Sequence, residues 1–378
     1  MRITRRSATG RGRPEHWSAS VCASLILVVN AGSTSLKLHL VGDGERSEPL
    51  ASFEALAHLE PGRIAAVAHR IVHGGARFRE ATLVDSEVRD EIVALEGLAP
   101  LHNAAAIEGI QAAEKALPGT PQVAVFDTTF HNTMPEAASV YAVPRSWREE
   151  FGIRRYGFHG LSVAWCAEQV PRLLQRRPDE LRLVVCHLGG GCSVTAVKAG
   201  RSVDTTMGFS PLEGLPMTTR SGSIDPGALT YLMREHGLDA EELERTLNLD
   251  SGLKALAGGS GSMLEIEQAA AVGDAGAELA LEVFLHGLTG AIATMTAALG
   301  GLDALAFTAG IGEGSALVRR LACRRLGFFG VDLDEPHNER AEPDCDVAAP
   351  ESPVRVVVVH AREELIAARS ARALLAGA

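Results

Sequence analysis

Arg70, Asp127, His159 and Arg220 are the side chains best placed to do chemistry, because each stands at or near the end of an apolar run or at a glycine-marked turn. Arg70 lies in His69-Arg70-Ile71-Val72-His73-Gly74-Gly75. An unpaired cation inside an apolar strand is expensive. Arg70 therefore needs an anion, either a buried carboxylate of the chain or a bound carboxylate or phosphate, which a forked guanidinium grips through two hydrogen bonds. Arg220, in Thr218-Thr219-Arg220-Ser221-Gly222, poses the same choice. Asp127 follows the apolar run 122–126, at the end of a strand where α/β sheets place their ligand sites. His159, in Tyr156-Gly157-Phe158-His159-Gly160, is either structural or a donor to developing negative charge. Glu363 and Glu364 open the last helix, where they favour the helix N-terminus or supply a magnesium ligand.

Small residues mark the second kind of chemistry. The run 27–29 leads into Asn30-Ala31-Gly32-Ser33-Thr34-Ser35-Leu36-Lys37. Free backbone N–H groups, the hydroxyls of Ser33 and Ser35, and Lys37 suit nucleotide phosphates, with Asn30 near a metal; a Ser-rich hairpin with an exposed lysine is the plainer alternative. The run 184–186 leads into His187-Leu188-Gly189-Gly190-Gly191-Cys192-Ser193. Three successive glycines cost backbone entropy, and either a tight turn or close approach to a phosphate explains them. A third stretch, Ala309-Gly310-Ile311-Gly312-Glu313-Gly314, follows a strand and opens a helix, which suits a nucleotide contact. That pattern alone is weak. Two phosphate-type hairpins facing each other point to a kinase.

The elements that must hold these groups alternate. Strands are expected at 25–29, 36–41, 64–72, 122–126, 182–187, 193–198, 305–307 and 355–359. Helices are expected at 85–95, 103–117, 161–176, 241–247, 265–299 with a Gly-Asp break, 315–326 and 363–375. Segments 98–103, 151–160, 202–226 and 308–314 read as loops, the third long enough to be functional. The class is α/β, and the two strand–turn–strand units suggest a duplicated core.

Bulk properties set the limits. A chain of 378 residues exceeds one ordinary core, so two domains are expected. Net charge is −11, while residues 1–20 hold five Arg and one Glu, so the body is acidic; with only 4% aromatics, nucleic acid is a poor partner. The six cysteines show no C-x-x-C spacing and read as thiols in a reducing compartment rather than a zinc site. Residues 1–20 read as a disordered basic tail or a misassigned start, since export would remove the 30–37 loop. No apolar run reaches the ~18 residues of a membrane span.

Together the motifs resemble the acetate kinase family of the actin-like ATPase superfamily. The matching text runs in family order: 29–37, 69–75, Ala99-Pro100-Leu101-His102-Asn103, Phe126-Asp127-Thr128-Thr129-Phe130-His131, 155–160, 187–193, Pro211-Leu212-Glu213-Gly214, 219–226, 307–313 and 363–369. The resemblance implies a two-lobed, duplicated actin-like ATPase (ribonuclease H-like) fold with an interlobe cleft. One lobe would be 21–130 plus 365–378, the other 131–364. It implies reversible phosphoryl transfer between ATP and acetate, giving ADP and acetyl phosphate, with magnesium or alternatively manganese. Asp127, His159 and Arg220 would be catalytic, and Arg70 would bind the carboxylate. Val72, Leu101, Phe158 and Pro211 would line the methyl pocket. Lys37, Ser33, Ser35, His187, Leu188, Gly189, Gly190, Gly191, Gly310, Ile311, Gly312, Glu313 and Gly314 would meet the nucleotide, and Asn30 and Glu363 the metal. A cytoplasmic homodimer is suggested, with no nucleic acid or membrane partner. Propionate or butyrate kinase, and a non-catalytic nucleotide-binding relative, are the alternatives.

Four departures from the family pattern stand out. Gly190 replaces an Asn, and Gly261-Ser262-Met263-Leu264 replaces Ser-Asp-Met-Arg, with loss of both charges. The segment between Lys37 and His69 is short. His360-Ala361-Arg362 replaces an uncharged Pro-Thr-Asn-like run, setting Arg362 against a metal at Glu363.

Overall fold

The computed structural model describes residues 25–31, 36–58, 62–95 and 100–377. Its first sheet takes β1 (Leu25–Ala31), β2 (Leu36–Val41), β3 (Ser47–Leu50), β4 (Ile64–Ile71), β5 (Thr82–Leu83) and β6 (Gln122–Phe126), in the order β3-β2-β1-β4-β6-β5. The second takes β7 (Arg182–Leu188), β8 (Cys192–Lys198), β9 (Arg201–Thr205), β10 (Ala304–Thr308), β11 (Cys345–Asp346) and β12 (Arg355–Val359), in the order β9-β8-β7-β10-β12-β11. The plans match. Each sheet begins with a three-stranded antiparallel meander, β1-β2-β3 or β7-β8-β9. Each then adds two strands parallel to its first, β4 and β6 or β10 and β12. A two-residue antiparallel strand closes the far edge. Duplication is carried by pairing rather than by residue identity.

The central strands are continuous apolar runs because both faces are covered. Every residue of β6 and β10 is buried. Helices Gly160–Leu173 and Glu363–Gly377 lie where the sheets meet, and both sheets share one core with them: Val28 and Val125 on one side, Val185 and Val357 on the other, and Leu161, Trp165, Leu365 and Ala368 between. On the outer face of the second sheet, helix Ala275–Leu299 inserts Phe284, Leu285, Leu288 and Ile292. A fully buried side chain of this kind contributes roughly 1.5–3 kcal/mol. Helix Pro100–Ala116 covers the first sheet with Ile110 and Ala113. Arg369 of the last helix bonds both Glu45, beyond β2, and Glu168 of helix Gly160–Leu173.

Most expected elements are present, with instructive differences. The 308–314 loop is a short helix, Ala309–Gly314. The helix expected from 103 starts at Pro100, where a missing N–H costs nothing. Residues 201–205 of the expected long loop form β9, while 206–225 hold neither helix nor strand. Helix Pro226–His236 was not expected: it buries no residue, so no apolar stripe announces it. The Gly-Asp break is real. Helices Met263–Ala271 and Ala275–Leu299 meet there, with Asp274 capping the Ala277 N–H at 2.8 Å. That second helix is long and apolar enough to cross a membrane, against the expectation of no such run; ten of its residues are buried in the protein core. Residues 1–20 lie outside the described residues.

Candidate active site

Parallel pairing brings the C-terminal ends of β1, β4 and β6 to one edge. Asn30 is near the end of β1, Arg70 near the end of β4, and Asp127 follows β6, its N–H bonded to the Ile71 carbonyl at 2.9 Å. The Arg70 guanidinium finds its anions here. Its Nε donates to Asp127 Oδ1 and Oδ2 at 3.0 and 3.1 Å. Its Nη1 donates to Asn30 Oδ1 at 3.1 Å and lies 3.3 Å from Glu363 Oε2. Burial opposes the charge on Arg70, but Asp127 and Glu363 outweigh it and raise its pKa. Burial also pushes the Asp127 carboxyl above its ordinary range, against the pull of Arg70. The cost of a cation in an apolar strand is thus met by two carboxylates and an amide.

The next segment presents His159. Gly160 N–H donates to the Asp127 carbonyl at 2.9 Å, and His131 Nε2 donates to the Phe158 carbonyl at 2.9 Å. His159 sits between these bonds in the left-handed region, at φ 57°. A Cβ at Gly160 would stand 2.1 Å from the Asp127 carbonyl oxygen, which only glycine avoids. The His159 ring stacks on His187 with centroids 4.0 Å apart. Its Nδ1 lies 3.0 Å from Ser193 Oγ, and His187 Nδ1 lies 2.8 Å from Ser162 Oγ. Burial and nearby cations keep both imidazoles neutral: His159 falls well below 6.5 and His187 to about 4.

Asn30, Arg70, His159, His187 and Glu363 line one cleft of about 640 Å³, while Asp127, buried, meets it through Arg70. The cleft also gathers Lys37, Gly189, Gly190, Gly191, Gly310 and Glu313. Gly189 N–H bonds the Gly191 carbonyl at 3.0 Å, so the triple-glycine turn is tight. A Cβ at Gly191 would lie 3.2 Å from His159 Nε2 and 3.5 Å from Arg220 Nη1, so all three groups converge. The cleft's other wall is the 309–314 turn. Glu313 Oε1 accepts from Ala309 N–H at 3.0 Å and Ala361 N–H at 2.9 Å, and Oε2 lies 2.7 Å from His360 Nδ1. Glu313 is therefore a tether for both segments that edge the cleft. Arg319, itself buried, holds the Gly312 and Glu313 carbonyls at 2.9 and 2.7 Å.

The remaining expected residues divide. Val72, Phe158 and Pro211 are buried beside this cleft's groups rather than lining it. Arg220 Nη1 donates to the Pro211 carbonyl at 3.1 Å, fixing that wall. Leu188 is core, Ile311 packs against core, and Gly312 and Gly314 stand in the short helix away from the cleft lining. Ser33, Ser35 and the Leu101 side chain lie outside the described residues. Sequence reasoning missed His39, His360 and Ala361 as cleft-lining residues, while Glu364, weighed with Glu363, does line the cleft. His39 had a signal: it stands two residues from Lys37 on β2, hence on the same face. Asn103, buried, bonds both the N–H and the carbonyl of His73 at 3.4 Å, a structural role its motif does not reveal.

Two departures resolve locally. Arg362 does not compete for Glu363: it faces Asp344 at 3.9 Å and the Trp165 ring at 5.9 Å. Gly190 has no atom within 4 Å of where a Cβ would be, so the site is open there. In the 261–264 stretch, Met263 is core and Leu264 is exposed.

The oxygen donors of Asn30, Asp127 and Glu363 suit a hard divalent ion. Among the described residues, no three His, Cys, Asp or Glu side chains are grouped to hold one. A metal here would take few protein ligands and complete its shell from phosphates and water.

Comparison with known proteins agrees with the geometry. The acetokinase family pattern matches residues 50–369. An acetate kinase of Rippkaea orientalis is 51% identical over 301 residues, covering 80% of this chain and 74% of that protein. One from Trichormus variabilis is 44% identical over 355 residues, covering 92% and 87%. Among solved structures, a propionate kinase from Francisella tularensis superposes with TM-score 0.83 at 36% identity, covering 92% of this chain and 98% of that one. Porphyromonas gingivalis acetate kinase gives 0.82 at 34%, covering 93% and 100%.

Proposed function

The chain belongs to the acetokinase family, and on that premise we propose that it transfers the terminal phosphoryl group of ATP reversibly to acetate, giving acetyl phosphate and ADP. One observation carries the assignment to residues: a buried Arg70 held by Asp127, Asn30 and Glu363, across one cleft from stacked neutral imidazoles and a triple-glycine turn. Phosphoryl transfer asks for positioned cations and donors, with little covalent help. Arg70 keeps its bonds to Asp127 and exchanges its contact with Glu363 for the substrate carboxylate. Asp127 keeps that guanidinium oriented and bears on the reacting oxygen. Arg220 and His159 face the Gly189–Gly191 turn and receive charge on the transferring group. Lys37 and the glycine turns hold the nucleotide phosphates. The acyl methyl group is assigned to Val72, Phe158 and Pro211, buried beside the cleft, with Leu101 as the fourth residue the family pattern implies.

Asn30 and Glu363 would hold magnesium, or manganese in its place. Bound there, the ion neutralises charge shared between nucleotide phosphates. Residues 21–130 with 365–378 form one working lobe and 131–364 the other, supported by the two sheets. A cytoplasmic homodimer is the family expectation. Exposed Tyr231 and Met233 on a helix with no buried residue give a second copy somewhere to dock, and the five cysteines among the described residues, all free, suit a reducing compartment.

The test is hydroxamate-trapped acyl phosphate formation with ATP, magnesium and acetate, with propionate and butyrate in parallel. A kcat/KM preference for acetate is expected. One methylene in an apolar pocket is worth only about 1–3 kcal/mol, so a preference for a longer acid reassigns the substrate. No turnover on any acid by folded protein overturns the reading.

A further inference from the structure

His159 and His187 are bound in a reciprocal arrangement. His159 precedes helix Gly160–Leu173, and the hydroxyl on its Nδ1 belongs to Ser193 of β8, the strand that follows the turn opened by His187. His187 ends β7 side by side with Leu188, and the hydroxyl on its Nδ1 belongs to Ser162, in the helix that His159 opens. Each imidazole therefore takes its serine from the other's segment. Both serines are wholly buried.

Burial decides the direction of these bonds. Among the described residues, neither serine hydroxyl has any other hydrogen-bond partner. If an imidazole N–H donated to the serine, the serine's own proton would be left buried without an acceptor, which costs about 1–3 kcal/mol. With the hydroxyl donating to Nδ1, the serine proton is placed and the ring N–H is left to the open cleft that both histidines line. The ring proton then sits on Nε2. Those Nε2 atoms face the triple-glycine turn: that of His159 lies 3.2 Å from the Cβ position of Gly191, and that of His187 lies 3.9 Å from that of Gly189.

We propose that Ser162 and Ser193 are positioning residues that fix His187 and His159 as a matched pair of neutral Nε2–H donors aimed at the phosphoryl group held over Gly189–Gly191. The inference rests on the phosphotransfer reading for its consequence in turnover, and on hydrogen bonding alone for the tautomers. His131 supports the same presentation from behind. Its Nε2 donates to the Phe158 carbonyl, so its Nδ1 accepts from Ser202 Oγ at 2.9 Å. A tautomer fixed by the second hydrogen bond of a ring is the ordinary way a protein aims a histidine.

The experiment is nitrogen-15 NMR of histidine-labelled, full-length protein without ligands, with His159→Gln and His187→Gln used to assign the two rings. Both rings are expected as Nε2–H tautomers. A Nδ1–H signature in either ring overturns the proposal whatever acid the enzyme phosphorylates, and whether or not a variant folds. In Ser193→Ala and Ser162→Ala, the ring facing the lost hydroxyl is expected to lose its single tautomer. With it, kcat should fall about tenfold or more, while KM for acid and nucleotide stays within about twofold. An unchanged kcat alongside a lost tautomer would also overturn it. Failure of every acid as substrate, with both tautomers as expected, would count against the phosphotransfer reading and leave the serine assignment standing.

Discussion

The two sheets share one strand plan but finish their strands differently. At the ends of β1, β4 and β6 stand Asn30, Arg70 and Asp127, charged or polar groups that bind one another. At and beyond the ends of β7 and β10 stand the neutral imidazole of His187, glycines and Glu313, whose carboxylate is taken up by Ala309 and Ala361 N–H groups and His360. In the proposed reading a small carboxylate and a hard cation call for full charges, which the first sheet brings, while the phosphates are met by close backbone approach and neutral donors of the second sheet, with Lys37 of β2 as the added cation. One duplicated frame would then separate two recognition problems by what is placed at the same topological position.

The largest way to break that division is to remove charge from the first sheet. Asp127→Asn should lower acyl phosphate formation by about 10³-fold or more. Arg70→Ala should be comparably severe, since it also strands the buried Asp127 without its cation. Loss of less than about tenfold in both would make the charged end structural and the comparison empty. A change at the joint comes next. Gly160→Ala places a methyl group 2.1 Å from the Asp127 carbonyl oxygen, so backbone must move. We expect a loss of about 2 kcal/mol or more in denaturant unfolding, with turnover falling alongside. An unshifted midpoint would show that the turn has slack.

Acid should sharpen the contrast further. Burial lowers His69, His73, His131 and His187 from 6.5 to about 4. The unfolded chain takes up these protons below pH 6.5 and the native protein only near 4. Their contribution to stability is therefore complete above pH 6.5 and is lost progressively as pH falls from 6.5 towards 4. Unfolding midpoints should decline across that window. A flat profile there would mean that the four rings are not held neutral. The smallest effect belongs to Gly190→Asn, which adds a side-chain donor to the second sheet where space is open. It should lower KM for the nucleotide a few-fold and leave stability within about 0.5 kcal/mol. A raised KM would mean that close backbone approach, rather than donor number, sets affinity there.

Much of this was legible in the sequence, for physical reasons. Strands buried on both faces read as unbroken apolar runs, so β1, β4, β6, β7 and β12 could be placed. Groups at their ends were candidates because an isolated charge there needs a partner. What was not legible depends on what lies across space. Helix Pro226–His236 has no inward face to give a period. Glu313 was expected at the nucleotide, but its carboxylate is taken by Ala309, His360 and Ala361, a fact no local pattern contains. His39 shares a face of β2 with Lys37, a signal that spacing alone carried and that was overlooked. The shared sheet plan, strong in the pairing, is faint in the residues because only the pattern of burial had to be kept.

The bond between Gly160 N–H and the Asp127 carbonyl has a mechanical side. It ties the end of a first-sheet strand to the start of a helix that packs with the second, a few residues from both reacting side chains. If one half rocks on the other, the two segments cannot part here without breaking this bond, so the link acts as a rivet and displacement grows with distance from it.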